Sequence, residues 1–522
     1  MRYDRYVPGF HVENFGCRAT QADGAALERQ FEERGLARAA NSAEAAVVVL
    51  NTCTVTAAAD QDARAAIRRV RRKNPAAKIV ITGCYAQRAP EELAALPGVS
   101  LIVGNSHKHQ LAEIALSGAW GASEHALAQA AGFVPVGALD FSGKETAGGE
   151  IFVSDIFAHT ELLAAPVFDA ANERTRPNLK VQDGCDNRCS FCVIPYVRGQ
   201  SRSLPVHRII REVNELVGAG YREVVISGIN LGRWGRDLAE VPTGGSGWRF
   251  EALVRGILAE TSLEKLRISS VEPMDWSEEL IELMASSPRI AKHAHVPMQS
   301  GSDAVLRRMH RKYRPRHYRE KILRIRDAMP AAAIGADVMV GFPAESDAEF
   351  DQTRRMIEDL PFTYLHVFTY SARPGTPAAA MEKQVPVTVA RERNRMLREL
   401  AASKKLAFMQ SFVGKEVEAI TLRSPDANFE IRDGCKDYTE ALTDNYLKLR
   451  VRGNHEPNRW IRARVEDVTA GALAGRVQGK VQVQETPARQ IQDDGAAAVP
   501  SRAAICASNA DVASPASRVE NS

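Results

Sequence analysis

The chain has 522 residues, with 68 Lys and Arg against 64 Asp and Glu, for a formal charge of +4. Its 45% hydrophobic and 25% charged residues are the balance of a globular protein of two to four domains, which sets intrinsic disorder aside. No apolar run nears the ~20 residues of a membrane span, and Met1 to His11 lacks the apolar core of an export signal. The expectation is a cytoplasmic protein whose eight cysteines serve metal or redox chemistry in a reducing compartment, not a disulfide scaffold.

From Gly9 to Leu116 short β-rich runs alternate with helical stretches. The runs are Phe10–Phe15, Ala46–Asn51, Lys78–Thr82 and Ser100–Val103. This alternation predicts an N-terminal open parallel α/β sheet over residues 1–120. Residues 121–170, rich in Ala and Gly, read as linker plus insert. A second alternating series has strands at Leu179–Gln182, Glu223–Ser227, Lys265–Ser270, Ala294–Pro297, Gly335–Phe342 and Tyr364–Tyr370. Helical periodicity follows at Val206–Ala219, Phe250–Glu260 and Asp347–Leu360, with Val387–Gln410 as a closing helix. Six βα units over 171–410 suit a (βα)6 partial barrel whose site lies at the C-terminal strand ends. From Gly414 the period becomes two, with strands at Glu416–Leu422, Tyr446–Val451 and Ile461–Val468. Residues 411–480 therefore read as a small β-barrel, and 481–522 as a disordered tail.

Gly184-Cys185-Asp186-Asn187-Arg188-Cys189-Ser190-Phe191-Cys192 places three thiols on the loop after the first barrel strand. Thiolates are soft ligands for zinc or iron–sulfur clusters. A structural zinc site takes four ligands, and no fourth Cys or His stands nearby. The loop reads either as three ligands of a four-iron cubane with one iron open, or as a zinc loop or buried thiols. Cys17, Cys53 and Cys84 are far apart in sequence, yet each follows a predicted strand. In an open parallel sheet the C-terminal ends share one edge, so three strands would bring three thiols to one crevice. The alternative is three unrelated thiols that fall at strand ends. Cys435 and Cys506 belong to neither group.

The Cys185–Cys192 loop, with Phe191 before its last cysteine, resembles the signature of the radical S-adenosylmethionine (SAM) enzymes. Both trios in this order, followed by a small β domain, resemble the methylthiotransferases of that superfamily. The resemblance runs over about residues 9–480 and rests on Asn51-Thr52-Cys53-Thr54-Val55-Thr56, Thr82-Gly83-Cys84-Tyr85-Ala86-Gln87 and Pro195-Tyr196-Val197-Arg198-Gly199. It continues in Ser227-Gly228-Ile229-Asn230-Leu231-Gly232, His295-Val296-Pro297-Met298-Gln299-Ser300-Gly301-Ser302, Gly341-Phe342-Pro343 and Tyr370-Ser371-Ala372-Arg373-Pro374-Gly375-Thr376. Gly414–Gly475, with Thr443-Asp444-Asn445-Tyr446, resembles the RNA-binding TRAM barrel.

The resemblance implies two [4Fe-4S] clusters and SAM. Cys185, Cys189 and Cys192 would hold the cluster that cleaves SAM to a 5′-deoxyadenosyl radical. Cys17, Cys53 and Cys84 would hold the cluster that carries the sulfur to be inserted. The Asn-Thr-Cys-Thr-Val-Thr stretch around Cys53 is similar to the branch acting on N6-threonylcarbamoyladenosine beside the anticodon, where C2 receives the methylthio group. The isopentenyladenosine branch, a branch acting on a ribosomal-protein aspartate, and a non-catalytic zinc-thiolate RNA-binding protein are the alternatives. After Cys17 the chain reads Arg18-Ala19-Thr20-Gln21 where the family usually has Lys-x-Asn-Gln, which puts a contact of the asparagine in question. The implied partners are a tRNA anticodon stem-loop and a low-potential electron donor such as flavodoxin or ferredoxin, with no membrane. The sulfur source is not specified.

Phe191, Gly228, Asn230, Gln299 and Ser300 are candidate SAM contacts, because they sit on the triad loop or end the second and fourth barrel strands. Glu272 and Pro273 would line the mouth, and His295 reads as a packed core histidine. The RNA side rests on two basic runs and the β domain. The first run is Arg64, Arg68, Arg69, Arg71, Arg72 and Lys73. The second is Arg307, Arg308, Arg311, Lys312, Arg314 and Arg316. The β domain adds Lys448, Arg450, Arg452, Arg462 and Arg464, with Tyr446 and Trp460 for base stacking.

Overall fold

The computed structural model describes residues 8–120, 149–158, 162, 175–238, 249–423, 438–469 and 471–480. Most of the expected linker, the expected tail, Cys435 and Cys506 lie outside them. Six strands open the fold: β1 (Gly9–Asn14), β2 (Ala37–Arg38), β3 (Val47–Thr52), β4 (Lys78–Gly83), β5 (Val99–Val103) and β6 (Glu150–Phe152). All pair in parallel, in the order β2-β1-β3-β4-β5-β6. Central β3, Val-Val-Val-Leu-Asn-Thr, is buried along its whole length, as a parallel strand covered on both faces must be.

Helices α1 (Arg18–Glu32), α2 (Ala57–Lys73) and α3 (Cys84–Arg88) each begin within a few residues of a strand end. The Thr56 hydroxyl caps α2 by accepting from the Ala59 N–H at 3.2 Å. Two strands escaped the sequence reading. β2 is two residues long, and β6 falls in the stretch assigned to the linker, where it pairs with the edge of β5. Runs this short carry no periodicity.

The second body holds β7 (Asn178–Lys180), the antiparallel pair β8 (Gln182–Asp183) and β9 (Arg202–Ser203), β10 (Glu223–Ser227), β11 (Lys265–Ile268), β12 (His293–His295), β13 (Ala333–Val340) and β14 (Tyr364–Thr369). Sheets β11-β10-β7 and β12-β13-β14 are joined by parallel bridges Leu266↔Ile290 and Ser270↔His295. Six parallel strands thus form one arc, in which β7 and β14 are not paired with each other. Alternate residues Leu179, Ile226, Leu266, Ala294, Ile334 and Val338 pack outward on the helices. Their neighbours face the lumen. The helix Val387–Gln410 lies along β14.

The third body is a closed barrel of β15 (Glu416–Thr421), β16 (Tyr438–Thr443), β17 (Lys448–Arg452), β18 (Trp460–Thr469) and β19 (Ala472–Lys480), in the order β15-β16-β17-β19-β18. The sequence reading missed β16 and β19. In β19, Gly475 and Gly479 and two register shifts against β18 break the period-two pattern. Contacts from Arg423 to Thr175, from Asn458 to Gly220 and from Asn445 to Ala331 seat this barrel at the N-terminal ends of the central strands.

Candidate functional site

The N-terminal sheet closes the gap left between β7 and β14. On the β7 side, the Asn178 amide donates to the Arg18 carbonyl at 2.9 Å. On the β14 side, the Ala57 N–H donates to the Ser371 hydroxyl at 3.1 Å. Buried Arg373 there donates to the Thr54 carbonyl at 3.2 Å and to Asp60 at 2.7 Å. The edge that meets the barrel is the edge that carries the thiols. Cys17, Cys53 and Cys84 follow β1, β3 and β4, three strands adjacent in the sheet.

Backbone geometry at this edge depends on glycine. Gly16 (φ +99°) and Gly83 (φ +96°) are left-handed, and a Cβ would meet the Cys53 Cβ at 2.6 Å in the first case and the Thr52 carbonyl at 2.3 Å in the second. Asn51 fixes the Cys17 turn by donating to Asn14 Oδ1 at 2.9 Å and to the Thr20 carbonyl at 2.8 Å. Thr52 donates to the Thr82 carbonyl at 2.5 Å. Thr20, which stands where the family usually has asparagine, keeps a contact to the thiol: its hydroxyl lies 3.5 Å from Cys17 Sγ.

Every one of the six sulfurs has a polar hydrogen-bonding neighbour. Cys17 has Thr20, Cys53 the Val55 N–H, and Cys84 the Asn105 amide at 3.7 Å. Cys185 has the Asn187 N–H at 3.4 Å and the Asn230 amide at 3.6 Å. Cys189 has Arg311 at 3.2 Å, and Cys192 the Ile194 N–H. Donors on ligand sulfurs are how a protein tunes an iron–sulfur cluster. Burial and the neighbouring Cys84 push the Cys53 thiol up to about 12, and burial with Cys189 does the same for Cys192. Metal binding here must therefore release protons.

The donor set fits a cluster better than a single ion. A closed zinc site takes four ligands, whereas each group supplies three free thiols, Cys17, Cys53 and Cys84 in one and Cys185, Cys189 and Cys192 in the other. The two trios share a seam. Cys84 packs in one apolar cluster with Val193 and Val197, just after Cys192, and Asn105 donates to the Val197 carbonyl at 2.7 Å.

Beneath this seam lies a fully buried charge network that sequence reasoning missed. Lys180 binds Asp23 and reaches Asp183 at 2.8 Å. Arg198 donates to both Asp183 oxygens and to Asp23, each at 2.9 Å. Lys108 reaches Asp23 at 3.1 Å. Burial raises the Asp23 pKa, but Lys108, Lys180 and Arg198 override it and hold that carboxyl at about 2. Arg198 was visible only as part of a matching stretch; three cations on two carboxylates beside three thiols is a tertiary feature with no local signal.

The SAM candidates divide. Asn230 reaches Cys185, and its backbone N–H is held by Gln182 Oε1 at 2.7 Å; its own Oδ1 is buried without a partner. A Cβ at Gly228 would meet Gln182 Oε1 at 2.8 Å. Gln299 sits at φ +60° with its backbone bonded to β13. Phe191 packs edge-on to Phe342, ring centroids 6.4 Å apart. Ser300 faces elsewhere: its hydroxyl lies 3.1 Å from Thr353 Oγ1 and accepts the Ser302 N–H, so it shapes the turn. Glu272 binds Arg311, and burial raises its pKa.

Several expected RNA contacts are engaged within the protein, some on its surface and some buried. Arg311 is buried against Cys189 and Glu272, while Arg307 and Arg314 pair with Asp303 and Arg308 with Glu349. Trp460 is buried, and Tyr446, in a left-handed turn at φ +67°, points beneath the barrel lumen against His293, ring centroids 4.8 Å apart. Arg68, Arg71, Arg72, Lys73, Lys448, Arg452, Arg462 and Arg464 remain exposed. His295, expected in the core, faces the lumen, bonded to Ser270 at 2.9 Å and 3.3 Å from Asp337.

Comparison with known proteins gives this geometry its family. Residues 9–104 match the family described as Uncharacterized protein family UPF0004, and residues 179–357 the Radical SAM superfamily. The threonylcarbamoyladenosine tRNA methylthiotransferase MtaB of Aquifex aeolicus is 34% identical over 452 residues, 86% of this chain and 98% of that one. This chain belongs to the radical SAM tRNA methylthiotransferases.

The Bacillus subtilis protein of the same name is 33% identical over 86% of this chain and 90% of its own. A tRNA-2-methylthio-N(6)-dimethylallyladenosine synthase of Novosphingobium aromaticivorans is 33% identical over 79% of this chain and 86% of its own. In fold, the chain is similar to the radical SAM methyltransferase TsrM of Kitasatospora setae (TM-score 0.50, 15% identity, 72% of this chain and 77% of that one). The methylthiotransferase is thus a SAM-dependent enzyme that works with [4Fe-4S] clusters.

Proposed function

We propose that the chain methylthiolates C2 of N6-threonylcarbamoyladenosine beside the anticodon of tRNA. The observation that carries this reading is the meeting of two three-thiol sets on one seam, at the place where the N-terminal sheet closes the open barrel. The relatives named for this nucleoside support the substrate. When bound, the clusters and SAM supply the radical that breaks an unactivated C–H bond and the sulfur that replaces the hydrogen.

The chain's own residues align and seclude the reactants. Cys185, Cys189 and Cys192 hold the SAM-cleaving cluster, with Arg311 donating to Cys189 and Asn230 to Cys185. Asn230 and Gln299 line the SAM side of the mouth, with Gly228 leaving room beside Gln182 and Phe191 packing the loop. Cys17, Cys53 and Cys84 hold the sulfur-bearing cluster. The exposed rings of His366 and Phe368 on the lumen face of β14 offer a platform for a base flipped from the anticodon loop. The exposed arginines of α2 and of β17 and β18 contact RNA phosphates, and a flavodoxin or ferredoxin delivers the electrons. No helix among the described residues is long and apolar enough to cross a membrane; we place the enzyme in the cytoplasm, with its tRNA substrate. In domain terms, we read the N-terminal unit as 1–120 plus β6, then the barrel to 410, the TRAM-like barrel to 480 and a tail.

Mass spectrometry of tRNA nucleosides from a strain lacking the gene tests the substrate. Loss of 2-methylthio-N6-threonylcarbamoyladenosine, with its parent accumulating, is expected. Loss of the methylthio form of isopentenyladenosine instead assigns the other substrate, and unchanged nucleosides reject both.

A further inference from the structure

The lumen below the thiol seam is lined by rings and cations of which the reading above uses only His366. His293, Tyr364, His295 and His366 form a continuous aromatic wall. The His293 and Tyr364 centroids are 5.8 Å apart, those of Tyr364 and His366 5.4 Å, and those of His295 and His366 5.8 Å. Tyr446 extends the wall downward, 6.4 Å from Tyr364. Three arginines converge on it. Arg267 stacks over Tyr446 at 5.3 Å, Arg176 at 5.9 Å, and Arg18 donates to the Tyr446 hydroxyl at 3.1 Å.

Of these cations two are satisfied and one is not. Arg267 binds Glu223 at 2.6 Å, and Arg176 reaches the same carboxylate at 3.5 Å. Asp337 sits 3.3 Å from His295, and Asp444 3.3 Å from Lys265. Among the described residues no carboxylate lies within salt-bridge distance of Arg18, whose partner is the neutral Tyr446 hydroxyl. This half-buried guanidinium is poised for an anion that the described residues do not provide.

We infer that Arg18, braced by Tyr446, binds the carboxylate of the threonyl side chain on the target base. The inference rests on the substrate proposed above and deepens it. Its geometry follows from the chain and from the base. Arg18 directly follows Cys17, so its backbone is tied to the edge that delivers sulfur to C2. In adenine, C2 and the carbon bearing N6 flank the same ring nitrogen, N1. A chain on N6 that turns toward N1 therefore carries its carboxylate to the C2 side, toward Arg18, while the base rests on the ring wall. An isopentenyl chain, which is apolar, would leave that guanidinium without an anion.

The test is equilibrium binding of fluorescent anticodon stem-loops to the full-length protein. The adenosine carries either the threonylcarbamoyl group, the same group with its carboxylate as a neutral amide, or no modification. Wild type is expected to prefer the carboxylate over the amide by roughly ten- to a hundredfold, the value of one charge-assisted pair. Arg18→Met should erase that preference while leaving affinity for the unmodified loop unchanged, Arg18→Lys should keep most of it, and Tyr446→Phe should weaken it. An equal loss on all three loops in Arg18→Met would mean that Arg18 holds a backbone phosphate, and no loss at all would mean that it holds nothing; either overturns the inference. Conversion of threonylcarbamoyl tRNA by wild type, scored separately, reports whether the underlying substrate reading stands.

Discussion

Single residues decide whether each thiol set can form. Gly16 is the sharpest case, because a methyl there meets Cys53 at 2.6 Å in a backbone conformation that L side chains rarely adopt. Gly16→Ala is expected to remove the cluster of the first trio while sparing the second, so that about half of roughly eight irons per chain is lost. Iron analysis of anaerobically reconstituted protein reads this directly. Arg311 belongs to the other trio, and its guanidinium bonded to Cys189 would stabilise the added negative charge of a reduced cluster held there. Arg311→Met should leave iron content intact and lower the cluster's reduction potential, measured by an EPR-monitored redox titration; an unchanged potential would show that the contact is structural alone. The cysteines themselves were legible, since spacing in one set and strand ends in the other are local patterns. Arg311 was not: it sits in a basic run that reads as an RNA contact, and only folding turns it inward.

At the scale of elements, the strands buried on both faces were plain in the sequence. β3, β10 and β13 appear as apolar runs between helical stretches, and Val387–Gln410 was read to the residue. Short edge strands β2 and β6 and the glycine-interrupted β19 were not, because they are too brief or too broken to show a period. Nor does sequence reveal how elements are joined. The Asp23–Lys108–Lys180–Asp183–Arg198 network ties α1 of the first sheet to β7, β8 and the turn after Cys192, from positions up to 175 residues apart. Asp23→Asn removes one of its two carboxylates from among three buried cations and should cost roughly 3–5 kcal/mol in urea unfolding. The pH dependence has a definite sign. The Asp23 carboxyl is held below its free value of 3.8 at about 2, so its contribution is full above pH 4 and disappears as pH falls toward 2. The stability gap between wild type and Asp23→Asn should therefore narrow across that window.

On the scale of the molecule, function depends on a barrel that is incomplete by itself. Its six strands leave β7 and β14 unpaired with each other, and the N-terminal sheet fills that gap with its thiol edge, held by Asn178, Ser371 and Arg373. Arg373→Met removes the buried bond to Asp60 and Thr54 and should speed hydrogen exchange of the Thr54–Asp60 segment by at least about tenfold, with the closed β15–β19 barrel unaffected. The measurement that bears most directly on the whole account is iron and sulfide content of anaerobic protein, with each trio replaced by alanine in turn. Roughly eight irons in wild type and roughly four in each triple variant, with SAM cleavage surviving only while Cys185, Cys189 and Cys192 are present, is the expected result. Zinc in place of iron, or SAM cleavage that disappears with Cys17, Cys53 and Cys84 and persists without the other three, would contradict it.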